Sequence, residues 1–201
     1  MKKTTIQVGS FEVNCTILSW EDKAWIVDPG AEATRIAALV VKAGLTPEAI
    51  LLTHAHFDHI GAIPELQARW RDLPVYLHPA DEMVLTHKLN NFPPEYMPIA
   101  KPANIKDVRT LSGVHALEVI ETPGHTPGGA CYLFPDEKLL LSGDTLFAGS
   151  IGRTDLPGGD FATLKSSLLK LTALPDDTEV VPGHGFFTTI GAEKDSNPFL
   201  I

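Results

Sequence analysis

The stretch LLTHAHFDHIG, residues 51–61, places three of the chain's eight histidines and an aspartate within six consecutive positions, directly behind an apolar run. A metal site needs imidazole nitrogens and carboxylate oxygens at about 2 Å from one point, on a backbone that aims several side chains together. A tight turn between a strand and a helix does this. His54, His56, Asp58 and His59 would leave such a turn in two directions, an arrangement that suits two ions better than one. The i, i+2 spacing of His54 and His56 is that of a strand end or loop, whereas a helical H-E-x-x-H motif sets its histidines one turn apart. Isolated histidines such as His78, His87 and His115 read as ordinary solvated or half-buried residues. Four metal-competent residues in one short turn do not.

Three later segments repeat one pattern, a short apolar run ending in glycine and one metal-competent residue: VIETPGHTPGG with His125, LLLSGDTLF with Asp144, and VVPGHG with His184. Glycine lets the backbone turn sharply and approach a site closely. If the strands end at one edge of a sandwich, His54, His56, Asp58, His59, His125, Asp144 and His184 converge. Seven ligands fill two sites when Asp144 is shared, and paired ions about 3.5–4 Å apart are common in hydrolases.

The rest of the chain supplies strands and helices for such an edge. TTIQV, EVNCTILSW and AWIVD read as strands, EATRIAALVVKAG as a helix ended by Gly44, TPEAILLT as a short buried strand, IGAIPELQARW as a helix and LPVYLHP as a strand. The second half offers strands at VHALEVIET, GGACYLFP and KLLLSGD, a helix at DFATLKSSLLKLTAL and a strand at TEVVPG, so both halves run β-rich and then αβ. Between them NNFPPEYMPIAKP, with four prolines, reads as a long surface loop of the kind that shapes substrate pockets. Length and composition fit a single domain over residues 1–201. A formal net charge of -9 leaves no basic stripe for a nucleic-acid backbone. The N-terminal lysines are followed by no apolar signal region and no run is long enough for a membrane span, so a cytoplasmic protein with neither nucleic-acid nor membrane partner is expected. Cys15 and Cys131 lie in strand-like segments and read as small buried hydrophobes, not as a disulfide framework.

THAHFDH followed in order by a lone histidine, an aspartate and GHG resembles the metallo-β-lactamase superfamily over nearly the whole chain. That resemblance implies a four-layer αββα sandwich, two mixed sheets face to face with helices outside. It also implies one metal on His54, His56 and His125, a second on Asp58, His59 and His184, and Asp144 between them. IVDPG, ETPGHTPGG, LLLSGDTLFAGSIGRTDLPGGD and the terminal NPFL look most like glyoxalase II, and more narrowly the short bacterial glyoxalase II-like proteins. The implied activity is hydrolysis of a small-molecule thioester such as S-D-lactoylglutathione by a hydroxide between two divalent ions, zinc foremost, with iron or manganese as alternatives. Asp58 would shuttle the proton. Arg153 falls where that family meets the glutathione carboxylate, but Asp155 stands where it carries a tyrosine, and the chain ends at Ile201 without the family's C-terminal helical domain. GRTD also resembles the persulfide dioxygenases of the superfamily, which use one iron; the presence of all seven ligand positions favours the hydrolase. Asp28 and Thr53 are candidates to orient the ligand rings.

Overall fold

The computed structural model describes residues 1–87 and 100–200. The Pro-rich run over residues 90–102, expected to be a pocket-shaping loop, falls mostly outside the described residues.

The first sheet is built from β1 (Lys2–Val8), β2 (Val13–Trp20), β3 (Lys23–Val27), β4 (Thr46–Leu51), β5 (Val75–Leu77) and β6 (Ile105–Asp107), in that spatial order. β1, β2 and β3 pair antiparallel; β3 to β6 pair parallel. The second sheet contains β7 (Glu118–Glu121), β8 (Ala130–Phe134), β9 (Leu139–Gly143), β12 (Glu179–Pro182) and β13 (Thr188–Thr189), ordered β13-β12-β9-β8-β7. A small hairpin of β10 (Leu146–Phe147) and β11 (Ser150–Ile151) follows Asp144. In this sheet β9 and β12 are parallel and the other pairs antiparallel. The two halves therefore share one order: three antiparallel strands, a helix, then a strand parallel to the third.

Period-two alternation makes the layers. In β3, Ala24 and Ile26 face the helices while Trp25 and Val27 face the other sheet; in β8, Cys131 and Leu133 point outward while Tyr132 and Phe134 point between the sheets. Outside the first sheet lie α1 (Ala33–Lys42), through Ile36 and Val40, and α3 (Ile63–Arg69), through Ile63 and Leu66. Outside the second lies α5 (Phe161–Thr172), through Leu164, Leu168 and Leu171. This is the expected αββα sandwich. Among the described residues, no helix is long and apolar enough to cross a membrane.

Several local expectations needed correcting. The helix after the histidine turn is two pieces, α2 (Phe57–Ile60) and α3, because Pro64 in one continuous helix would drive its ring against the carbonyl of Ile60. α2 starts inside the cluster itself, so Asp58 and His59 are helical. The strand expected at VHALEVIET begins only at Glu118; before it, His115 and Ala116 adopt left-handed φ values of 52° and 57°, and the His115 ring stacks on Trp20. After β5 the chain turns into a short helix, α4 (Glu82–Leu85). β6, β10, β11, β13 and α6 (Ile190–Ser196) gave no readable periodicity, since each is short and all but α6 span only two or three residues.

Phe134 is fully buried between the sheets. Phe134→Ala is expected to lower unfolding free energy by about 3–5 kcal/mol, read by urea denaturation; a loss under about 1 kcal/mol would show that it is not a core contact.

Candidate metal centre

Strand ends place the polar cluster. β4 ends at Leu51, and the chain runs through an extended segment carrying His54 and His56 into α2, which carries Asp58 and His59. His125 sits in the turn after β7, Asp144 directly after β9 and His184 after β12. All seven residues singled out in the sequence meet at this edge. Their ligand atoms form three groups, each within 4.8 Å: His54, His56 and His125; His54, His59 and Asp144; Asp58, His59 and His184. Asp144 reaches across them. Its Oδ1 is 3.4 Å from His59 Nε2, and its Oδ2 is 3.6 Å from both His125 Nε2 and His184 Nε2. His78, His87 and His115 belong to none of these groups.

The outer ring nitrogens are tied down, which fixes the tautomers. His125 Nδ1 donates to the Arg153 carbonyl at 2.7 Å and His184 Nδ1 to the Phe11 carbonyl at 2.8 Å. The Thr53 hydroxyl donates to Asp28 Oδ2 at 2.7 Å and so can accept from His54 Nδ1 at 3.1 Å. Asp28 also accepts from the Thr53 main-chain N–H and stands 3.1 Å from His59 Nδ1, an ion-pair approach and not an aligned hydrogen bond. In these four rings Nε2 is left to face the centre, as the outer partners of metal-ligating histidines arrange. Asp28 and Thr53 thus take the orienting places expected of them.

The charge distribution favours bound cations. Burial pushes His54 well below its usual range, and the rings of His59 and His56 push it further, so it is neutral and can offer a lone pair. Burial likewise takes His56 down to about 4, with His125 adding to the effect. Burial would lower His59 too, but Asp144, Asp28 and Asp58 outweigh it and hold the ring well above its usual range. Asp144 feels an upward push from burial that His59, His125 and His184 more than reverse. His56 Nδ1 and His125 Nε2 approach to 2.9 Å, and His59 Nε2 and His184 Nε2 to 3.3 Å. His54 Nε2 and Asp144 Oδ1 are buried with no hydrogen-bond partner. Converging nitrogens and orphaned buried polar atoms are costly unless a cation sits among them, so the donor set fits metal ions. The donors are imidazole and carboxylate only. Cys15 and Cys131 are buried in β2 and β8, where burial raises both thiols, Cys131 to about 11.

Arg153 is placed differently from the simple expectation. Its carbonyl belongs to the site, through His125, while its exposed guanidinium pairs with Asp155 by two 2.6 Å bonds from Nε and Nη2. Two further contributors carry no signal in the sequence. Asn14 donates from Nδ2 to the carbonyls of Pro182 and Gly185, each at 3.0 Å, and so brackets His184. Phe11 contributes its main-chain carbonyl to His184, a role no side-chain pattern can announce.

The model of the metallo-beta-lactamase superfamily matches residues 8–184. Over 207 residues, all of this chain and 98% of the relative, the sequence is 45% identical to the probable metallo-hydrolase YqgX of Bacillus subtilis (strain 168). It is 37% identical over 206 residues to the hydroxyacylglutathione hydrolase GloC of Haemophilus influenzae, covering 97% of this chain and 96% of that one. Among solved structures, TTHA1623 in a di-iron-bound form superposes with a TM-score of 0.90 at 39% identity, over 98% of this chain and all of that one. BLEG-1, described as a B3 metallo-beta-lactamase, does so with a TM-score of 0.88 at 39% identity, over 99% of each chain. Agreement of this extent in sequence and in fold makes the chain a member of the metallo-β-lactamase superfamily.

Proposed function

We propose that this chain is a metal-dependent hydrolase that cleaves a small-molecule thioester such as S-D-lactoylglutathione. One divalent ion would be held by His54, His56 and His125, a second by Asp58, His59 and His184, with Asp144 shared. The observation that carries this reading is the reach of Asp144, whose carboxylate lies 3.4–3.6 Å from ring nitrogens of both trios.

Bound there, divalent ions would polarise a carbonyl oxygen and bring the pKa of water from 15.7 down to about 7. The chain's own residues do the rest. Asp58 is half-buried, with Oδ2 3.3 Å from His184 Nε2. Burial raises its carboxyl, but His59 and His184 overcome this and hold it below the usual range, so at neutral pH it is ionised, able to help hold a cation and, as a weak base, to relay a proton. Among the described residues, the groups that hold the cluster's rings are carboxylates, main-chain carbonyls and the Thr53 hydroxyl. That inventory suits a leaving group that departs as an anion, and a thiol with a pKa near 8.5 does so. An amide nitrogen, as in a β-lactam, would need a proton donor. The name of the Haemophilus relative supports a thioester, and the di-iron form of TTHA1623 supports iron beside zinc and manganese, all of which accept nitrogen and oxygen donors. Asp155 occupies the Nε and Nη2 edge of Arg153, and the Nη1 edge would be the one to meet a carboxylate-bearing substrate. With a net charge of -9, neither nucleic acid nor membrane is proposed as a partner.

The protein purified without added metal should contain two ions per chain among Zn, Fe and Mn, and should release thiol from a thioester panel that includes S-D-lactoylglutathione. One iron per chain, oxygen uptake with glutathione persulfide and no thiol release would overturn the reading in favour of a persulfide dioxygenase. Asp144→Ala should lower kcat/KM by about 100-fold or more, the consequence of losing ~3 kcal/mol of transition-state stabilisation, and should also lower metal content. Gly183→Ala should act in the same direction, because a Cβ there would lie 2.1 Å from Asp144 Oδ1 and 2.8 Å from His59 Cε1. Full metal content in Gly183→Ala would mean that Asp144 is free to shift without consequence.

A further inference from the structure

Asp81 is a carboxylate with 0% exposure, lying just beyond β5 and outside the seven-residue cluster. Among the described residues no lysine, arginine or histidine pairs with it. Instead it receives three hydrogen bonds from two separate loops. Oδ2 accepts from the Ala55 main-chain N–H at 3.0 Å and from the Thr126 hydroxyl at 2.9 Å, and Oδ1 accepts from the Gly128 N–H at 2.6 Å. Ala55 stands between His54 and His56, and Thr126 follows His125. The glycine is required by this contact, since a Cβ on Gly128 would come within 2.7 Å of Asp81 N and 2.9 Å of Oδ1.

We propose that Asp81 is a positioning residue for the trihistidine half of the site, clamping the His54–His56 segment of the first sheet's edge to the His125 loop of the second. The inference rests on the proposed ligand set. Three points support it. A buried anion is expensive without compensation, and its hydrogen bonds go to main-chain and hydroxyl donors, which give geometry but no countercharge. The two loops it joins belong to different sheets and share the main-chain bond from Ala130 N–H to the Thr53 carbonyl at 2.9 Å, beside which Asp81 adds side-chain holds on Ala55, Thr126 and Gly128. Finally, those loops carry all three histidines of one trio, and only His54 of the other two groups. A cation at that trio would also supply the missing countercharge.

The clamp needs acceptors on both oxygens. In Asp81→Asn the amide N–H must face a main-chain donor in either orientation: facing Ala55 it frees the His54–His56 segment, and facing Gly128 it leaves the His125 loop held through Thr126 alone. The test is Zn(II) affinity of metal-stripped protein by chelator competition, in two backgrounds: His184→Ala, which leaves the trihistidine group, and His125→Ala, which leaves the Asp58, His59 and His184 group. Adding Asp81→Asn should weaken binding about 10–100-fold in the first background and by less than about 3-fold in the second. Equal losses in both would show a fold-wide role and overturn the proposal, as would no loss in either. Should Asp81→Asn fail to fold, Thr126→Val, which deletes one donor to Oδ2 at nearly constant volume, should give the same asymmetry on a smaller scale; its absence would overturn the proposal equally. Failure of the two parent backgrounds to bind Zn(II) would instead count against the ligand set itself.

Discussion

The two sheets close on each other at one edge until their main chains touch, and the site depends on that contact. Asn14 N–H donates to the Gly183 carbonyl at 2.8 Å and Ala130 N–H to the Thr53 carbonyl at 2.9 Å, while within the second sheet Gly183 N–H donates to the Gly143 carbonyl at 2.8 Å. Elsewhere the sheets are held apart by Trp25, Tyr132 and Phe134. The close approach is possible where side chains are missing: a Cβ on Gly143 would meet the Thr53 hydroxyl at 2.3 Å. Hydrogen bonds between the sheets at the edge, in place of side chains, set the spacing on which converging ligands depend.

The shared order of the two halves gives this edge a further regularity. Asp28 follows β3 and Asp144 follows β9, the third strand of each half; His54 and His56 follow β4, and His184 follows β12, the strands parallel to those. His59 lies between the two aspartates, with Nδ1 3.1 Å from Asp28 and Nε2 3.4 Å from Asp144. Equivalent strand ends therefore hold one imidazole from both sides, Asp28 fixing the ring and Asp144 facing the centre. This accounts for the raised pKa of His59 despite complete burial, and for the lowered pKa of Asp144. Much negative charge is gathered in little space, and divalent ions are its natural complement.

The seven-residue cluster was legible because ligand chemistry allows few residue types and the spacing of HAHFDH leaves few backbones that can use them. The layers were legible through the period-two runs of β2, β3, β8 and β9. What escaped did so for definite reasons. The carbonyls of Phe11 and Arg153 act through atoms every residue has. Asn14 and Asp81 stand far along the chain from the loops they hold, with no motif around them, and their partners are main-chain groups. Arg153 was found by position, but its pairing with Asp155 depends on side-chain geometry that a two-residue separation permits without requiring.

By itself the sequence determined the donor set, the alternation that makes four layers, and the glycines that mark close approach, because these follow from side-chain chemistry and local periodicity. Tertiary structure alone decided which ring nitrogen faces the centre, that Asp144 reaches both trios, and that Asp81 joins two loops from different sheets. Those are distances between segments as much as 173 residues apart, as in the His184–Phe11 contact. They exist only once the sandwich has closed.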